Sequence, residues 1–183
     1  MSIQDKYSAA RPSLKAGMLI LFRGTSLISK AIQDITHSYF NHVGVIFEAN
    51  GRFFIMDSNG PGVHADLLSN RINEYVDFAC IDLCQRPDDT IRNLGVLMDK
   101  DSAGVKYNFG RLLMIALKDK LGINLPEVDQ QGRVICSQYA QEFCNLFPIP
   151  CYQKDYEIIP QGFIAEADGT VKILFYEQQK ASN

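Results

Sequence analysis

Two apolar runs, 42–48 (HVGVIFE) and 52–57 (RFFIMD), are joined through Ala49-Asn50-Gly51. A two-residue type I′ turn needs positive φ at both central positions, and Asn-Gly tolerates this best. The pair therefore commits residues 42–57 to an antiparallel hairpin and sets its register. Ala49 pairs with Arg52, and Gly44 falls opposite Asp57. His42 then lies diagonally from Asp57 on the same face, roughly 7–8 Å away at Cα. Gly44 carries no side chain, so the space between them stays open. Glu48 shares that face, but at strand rise it stands roughly 20 Å from His42, too far to orient the ring. A bulge in the hairpin would instead turn Asp57 to the other face.

The rest of the chain mixes helices with short strands. Residues 17–22 (GMLILF) and 76–83 (VDFACIDL) are strand-like, and 25–35 (TSLISKAIQDI) carries a helical apolar stripe at 27, 28, 31, 32 and 35 behind a Thr/Ser cap. Asp88 or Asp89 can cap a helix running to about Lys100. Residues 109–121 (FGRLLMIALKDKL) predict an apolar-rich helix stopped by Gly122, and a Gly/Pro/Asp loop at 122–132 follows. Next, 134–147 (VICSQYAQEFCNLF) predicts a helix that Pro148 ends. The segment 161–176 predicts a hairpin turning at Asp168-Gly169. The pattern is α+β, and no repeat or linker divides it, so residues 1–183 read as a single domain with weakly ordered ends.

Several function classes are disfavoured. The formal net charge of −3 offers no general attraction to phosphate backbones, so no nucleic-acid partner is expected. No apolar run approaches the roughly 20 residues of a membrane span, and the polar N-terminus lacks a secretory signal. The cysteines Cys80, Cys84, Cys136, Cys144 and Cys151 are odd in number and irregularly spaced, which suits reduced thiols in a cytoplasm. P-loop, dinucleotide, HExxH and GxSxG patterns are absent. Cys80-Ile-Asp-Leu-Cys84 lacks a second pair, and no metal or cofactor is expected.

Cys136 has the strongest chemical context. In the first turn of a helix it meets unsatisfied N–H groups and the positive end of the dipole, both of which favour thiolate. The same groups can receive the oxyanion that forms when a carbonyl is attacked. Cys136 can also be read as a small buried hydrophobe, as Cys80, Cys84 and Cys144 are. Ser137 reads as a first-turn capping residue. Of the histidines, His37 and His64 lie in polar or Gly/Pro segments, expected to face solvent without partners. His42 opens a strand, where it is either satisfied by backbone or serves as a base that Asp57 orients.

The residues carrying these features resemble a known family. Gly17-Met18-Leu19-Ile20-Leu21-Phe22, Asn41-His42-Val43-Gly44-Val45 and Phe54-Ile55-Met56-Asp57 are similar to the histidine half of NlpC-type hydrolases. Gly104-Val105-Lys106-Tyr107-Asn108-Phe109-Gly110 and Ile135-Cys136-Ser137-Gln138 are similar to the cysteine half. Here the histidine half comes first, as in the circularly permuted branch that includes YiiX-like proteins and the lecithin-retinol acyltransferase group. The resemblance spans about residues 15–165, with Ile159-Pro160 at a place where permuted members often carry proline. Gly17-Met18 departs from the usual Gly-Asp, and Ser137-Gln138 from Ser-Gly or Ser-Glu.

The resemblance implies a papain-like domain in which a helix bearing Cys136 packs against an antiparallel sheet bearing His42 and Asp57. It implies Cys136 as nucleophile, His42 as base, Asp57 as the polar third residue and Tyr107 as a residue lining the substrate. The implied activity is hydrolysis of an amide in a peptide or cell-wall peptide fragment. The alternatives are a lipid-directed acyltransferase or thioesterase using the same residues, with an apolar cleft beside 109–121, and a non-catalytic binding module.

Overall fold

The computed structural model describes residues 1–60, 62–102, 106–107, 133–147, 159–165 and 171–176. The helix expected at 109–121, the loop at 122–132, Cys151 and the turn at Asp168-Gly169 lie outside the described residues.

The central feature is a six-stranded sheet built from β1 (Leu19–Arg23), β2 (His42–Ala49), β3 (Arg52–Asn59), β4 (Gly62–Leu67), β5 (Asp77–Asp82) and a strand at Lys172–Leu174. A second, two-stranded sheet joins β6 (Lys106–Tyr107) and β7 (Arg133–Val134) in parallel, which makes Lys172–Leu174 β8. The large sheet runs β4-β3-β2-β1-β5-β8 with every pair antiparallel. The fold is α+β.

The hairpin forms in the register that the Asn-Gly turn dictates. Asn50 and Gly51 take φ of 52° and 71°, Ala49 pairs with Arg52, and Gly44 pairs with Asp57. Without a bulge, side chains alternate cleanly between the two faces. Leu19, Leu21, Val43, Val45, Phe47, Met56, Ala79 and Ile81 form one layer. It is covered by Tyr139, Ala140 and Phe143 of a helix at Cys136–Asn145. Ile20, Phe22, Ile46, Ile55, Phe78 and Cys80 form the opposite layer.

The opposite layer is covered by the N-terminal helix α1 (Ile3–Ala10), through Tyr7 and Ala10, and by Leu68 and Ile72. The first residues, expected to be weakly ordered, thus form a helix. Ser2 caps it by accepting from Asp5 N–H, and the Asp5 carboxylate accepts from Ser2 N–H in return. The stripe at 27–35 forms α2 (Leu27–Thr36), capped by Ser26, but much of it faces water: Leu27 is 87% and Ile28 64% exposed. The remaining helices are α3 (Leu68–Arg71), α4 (Pro87–Ser102), α5 (Cys136–Asn145) and α6 (Gly162–Ala165). α6 stands where the first strand of the C-terminal hairpin was expected. β8 pairs instead with the free edge of β5, which satisfies its backbone without a hairpin partner. Cys84 is exposed at positive φ just beyond β5, so it is not the buried hydrophobe its neighbours suggested.

Candidate active site

Strand alternation places His42, Gly44 and Asp57 on the layer that contains Ile46 and Ile55. There His42 Nε2 lies 2.7 Å from Asp57 Oδ2, with both side chains buried. Gly44 is required at the crossing point. A Cβ built there would lie 2.5 Å from Ile55 Cδ1 and 3.0 Å from Asp57 Cβ. The open space expected over Gly44 is the space through which the ring and carboxylate meet. Glu48 is exposed near the turn, away from the pair.

Three residues that sequence reasoning did not select complete this cluster. Arg71, at the end of α3, directs Nη2 to Asp57 Oδ1 at 3.4 Å and Nη1 to Glu74 Oε2 at 2.9 Å. Tyr75 stacks on the His42 ring with centroids 5.9 Å apart and planes 7° from parallel, and Phe22 stacks on Tyr75 in turn. His64, expected to face solvent alone, pairs in register with Asp57, and its Nδ1 lies 3.7 Å from Asp57 Oδ1. Arg71 Nη2 and Asn59 Nδ2 both approach His64 Nε2, which therefore accepts. Its Nδ1 also faces the Gly62 carbonyl. His37 ends α2 in the left-handed conformation, far from this role.

The charges follow from burial and partners. Burial pushes the Asp57 carboxyl up, but His42, Arg71 and His64 outweigh it and hold the group below its ordinary value. Burial likewise opposes the imidazolium of His42, yet negative charge at Tyr75, Cys136 and Asp57, with the Asp57 hydrogen bond, holds it well above its ordinary value. Burial raises the Tyr75 phenol itself, so near neutral pH it carries no charge. Asp57, ionised and hydrogen-bonded to the ring, is then the anion that holds the proton on His42.

Cys136 begins α5, as expected, and is buried. The preceding residue, Ile135, has no side-chain acceptor to cap the helix, and among the described residues no side chain accepts from the first-turn N–H groups beside the thiol. Gln138 accepts from the N–H of Ile135 instead. α5 packs on the opposite layer from His42 and Asp57, a division that the expected arrangement did not contain. Cys136 and His42 are each the first residue of their element. The charge of one acts on the other at that end of the sheet, although no hydrogen bond joins them among the described residues. The backbone of Tyr107 in β6 pairs with Val134 in β7, two residues before Cys136.

No family model matches the chain, and no curated protein matches it in sequence. Its fold is similar to the crystal structure of the metalloprotein yiiX from Escherichia coli O157:H7, with a TM-score of 0.52 and 18% identity. The likeness covers 89% of this chain and 97% of that one. At this identity it is a likeness of fold, and it agrees with the YiiX-like architecture expected from the sequence.

Proposed function

We propose that the chain is a cysteine hydrolase of permuted NlpC-type, papain-like architecture that cleaves an amide bond in a peptide or cell-wall peptide fragment. The observation that carries this reading is the buried His42–Asp57 pair, hydrogen-bonded at 2.7 Å and in electrostatic reach of a thiol at an uncapped helix start. Asp57 engages Nε2, which leaves Nδ1 as the ring nitrogen for the thiol proton. The Cys136 thiolate attacks the carbonyl carbon, and first-turn N–H groups of α5 receive the oxyanion. The C–N bond breaks as the imidazolium gives its proton to the departing amine, leaving a thioester on Cys136. His42 then takes a proton from water, whose oxygen attacks the thioester. The acid leaves, and the thiolate–imidazolium pair is restored. Tyr107 lines the substrate side in this reading.

The metal of the yiiX protein does not carry over to this cluster. Among the described residues no three His, Cys, Asp or Glu side chains converge as metal ligands would. The guanidinium of Arg71 stands where a cation beside Asp57 Oδ1 would sit. No step is therefore routed through a metal.

The test is pH-dependent alkylation of Cys136 by iodoacetamide, read by peptide mass spectrometry in the wild type and in His42→Ala. Mapping keeps the exposed Cys84 distinct, and burial pushes the Cys80 thiol up to about 12, which silences it. A Cys136 thiolate forming well below the free value of about 8.5, and moving up on losing His42, is expected. An unreactive Cys136, or one indifferent to His42, would sink the mechanism. Turnover of a dipeptide-amide panel, lost in Cys136→Ala, is the matching activity readout.

One observation favours a second reading, a lipid-directed acyltransferase or thioesterase. The exposed first turn of α2, with Leu27 and Ile28, follows Gly24, whose N–H is held at 2.7 Å by Asn41, the residue before His42. This places an apolar surface near the end of the sheet where His42 begins β2. A transferable acyl group on Cys136 after incubation with phospholipid vesicles would favour this reading over amide cleavage. No helix of the described residues is long and apolar enough to cross a membrane.

A further inference from the structure

The His42–Asp57 pair cannot sustain its own charge through a reaction cycle. Asp57 is completely buried, and a carboxylate so placed is costly without a compensating cation. His42 supplies one only while it is protonated, and a base must give its proton up. A second, permanent cation lies against the same carboxylate. Arg71, 5% exposed, reaches Asp57 Oδ1 while His42 holds Oδ2. Each carboxylate oxygen thus has its own partner, and the group cannot rotate without losing one.

We propose that Arg71 is the positioning residue of this site, holding Asp57 oriented and ionised when His42 is neutral, with Glu74 set against it as a partial counter-charge. The inference rests on the reading of Cys136, His42 and Asp57 given above. The groups facing the carboxylate come from every packed element: His42 from β2, His64 from β4, Arg71 from α3, and Glu74 and Tyr75 from the chain just after α3. Cys136, at the start of α5, acts on His42 and Tyr75 instead of on the carboxylate. Only Arg71 among them keeps a positive charge at every pH of interest. Its remaining contacts fix it in place. Nη1 pairs with Glu74, Nη2 also donates to His64, and Nε is buried with no partner among the described residues. Glu74 is the outer member, with its side chain 55% exposed.

Removing a buried cation favours the protonated form of every neighbour. Arg71→Met should therefore move both limbs of the Cys136 alkylation profile, thiolate formation and imidazolium deprotonation, to higher pH by about one unit or more. Arg71→Lys keeps the charge but loses the planar fork, and should shift the profile less. Glu74→Gln removes an anion from the far side of the same guanidinium, so it should move the profile to lower pH. That shift is smaller because Glu74 is exposed and screened.

Packing damage does not produce opposite shifts from two sides of one ion pair. If the wild type shows its His42 dependence but the Arg71 and Glu74 variants leave the profile unmoved, or move it the same way, the role of Arg71 is overturned and the hydrolase reading stands. If the wild-type thiol ignores His42, both fall together. Should Arg71→Met fail to fold, Arg71→Lys and the surface variant Glu74→Gln decide.

Discussion

The two faces of the six-stranded sheet are built for different ends. The face under α5 is largely apolar, with Leu19, Leu21, Val43, Val45 and Ala79 meeting Tyr139 and Phe143. Its stability comes from area removed from water, at about 25 cal/mol per Å². The other face has an equally apolar centre in Ile20, Ile46, Ile55 and Phe78. There Asp57, His42 and Arg71 are buried beside it, where charge must be paired to be tolerated. The same two strands serve both faces, because their side chains alternate. One hairpin register thus sets the packing on one side and the electrostatics on the other, while the thiol is delivered from the helix on the apolar side.

The largest effect expected from breaking this division lies on the apolar face. Phe143→Ala should cost about 3–5 kcal/mol in urea unfolding, with the Cys136 alkylation profile unmoved while the protein stays folded. A profile displaced along with the stability would show that the faces are not separable. Gly44→Ala sits where they couple. Its new methyl would press on Ile55 and Asp57, so about 1–3 kcal/mol of stability and much of the thiol reactivity at Cys136 should be lost together. Loss of stability with full reactivity would break that link.

The most gradual effect is on pH dependence. The depressed Asp57 contributes stability that is present above its unfolded value of about 3.9 and is lost as pH falls through its lower folded value. The raised His42 contributes stability that is present below about 6.5 and is lost as pH rises through its higher folded value. Urea midpoints measured across pH should therefore show a plateau between the two, and Asp57→Asn should flatten the acid side.

Much of the site was legible because it rests on local rules. Asn50-Gly51 dictated a turn, the turn dictated a register, and the register brought Gly44 opposite Asp57 as the structure has it. The position of Cys136 at a helix start was likewise local. The failures that bear on the site are of longer range. The α2 stripe was legible, but periodicity shows only that apolar residues share a side, not that anything covers it. His64 looked solitary because 62–67 read as a Gly/Pro loop and not as a strand, which hid its register opposite Asp57, while its other partner, Arg71, belongs to α3. Tyr75 and Arg71 left one faint signal: a buried carboxylate implies a buried cation somewhere. Only the packing says which.

The sequence by itself determined the hairpin, its register and the diagonal placement of His42 and Asp57, because turn chemistry and strand alternation act over a few residues. It also determined that Cys136 would open a helix. Tertiary structure decided which face of the sheet each of these occupies, which cation lies against the carboxylate, and that the helix bearing Cys136 packs on the opposite layer from His42 and Asp57. Those choices depend on how β4, α3 and α5 fold back over the hairpin, and burial becomes a constraint only once that surface is closed.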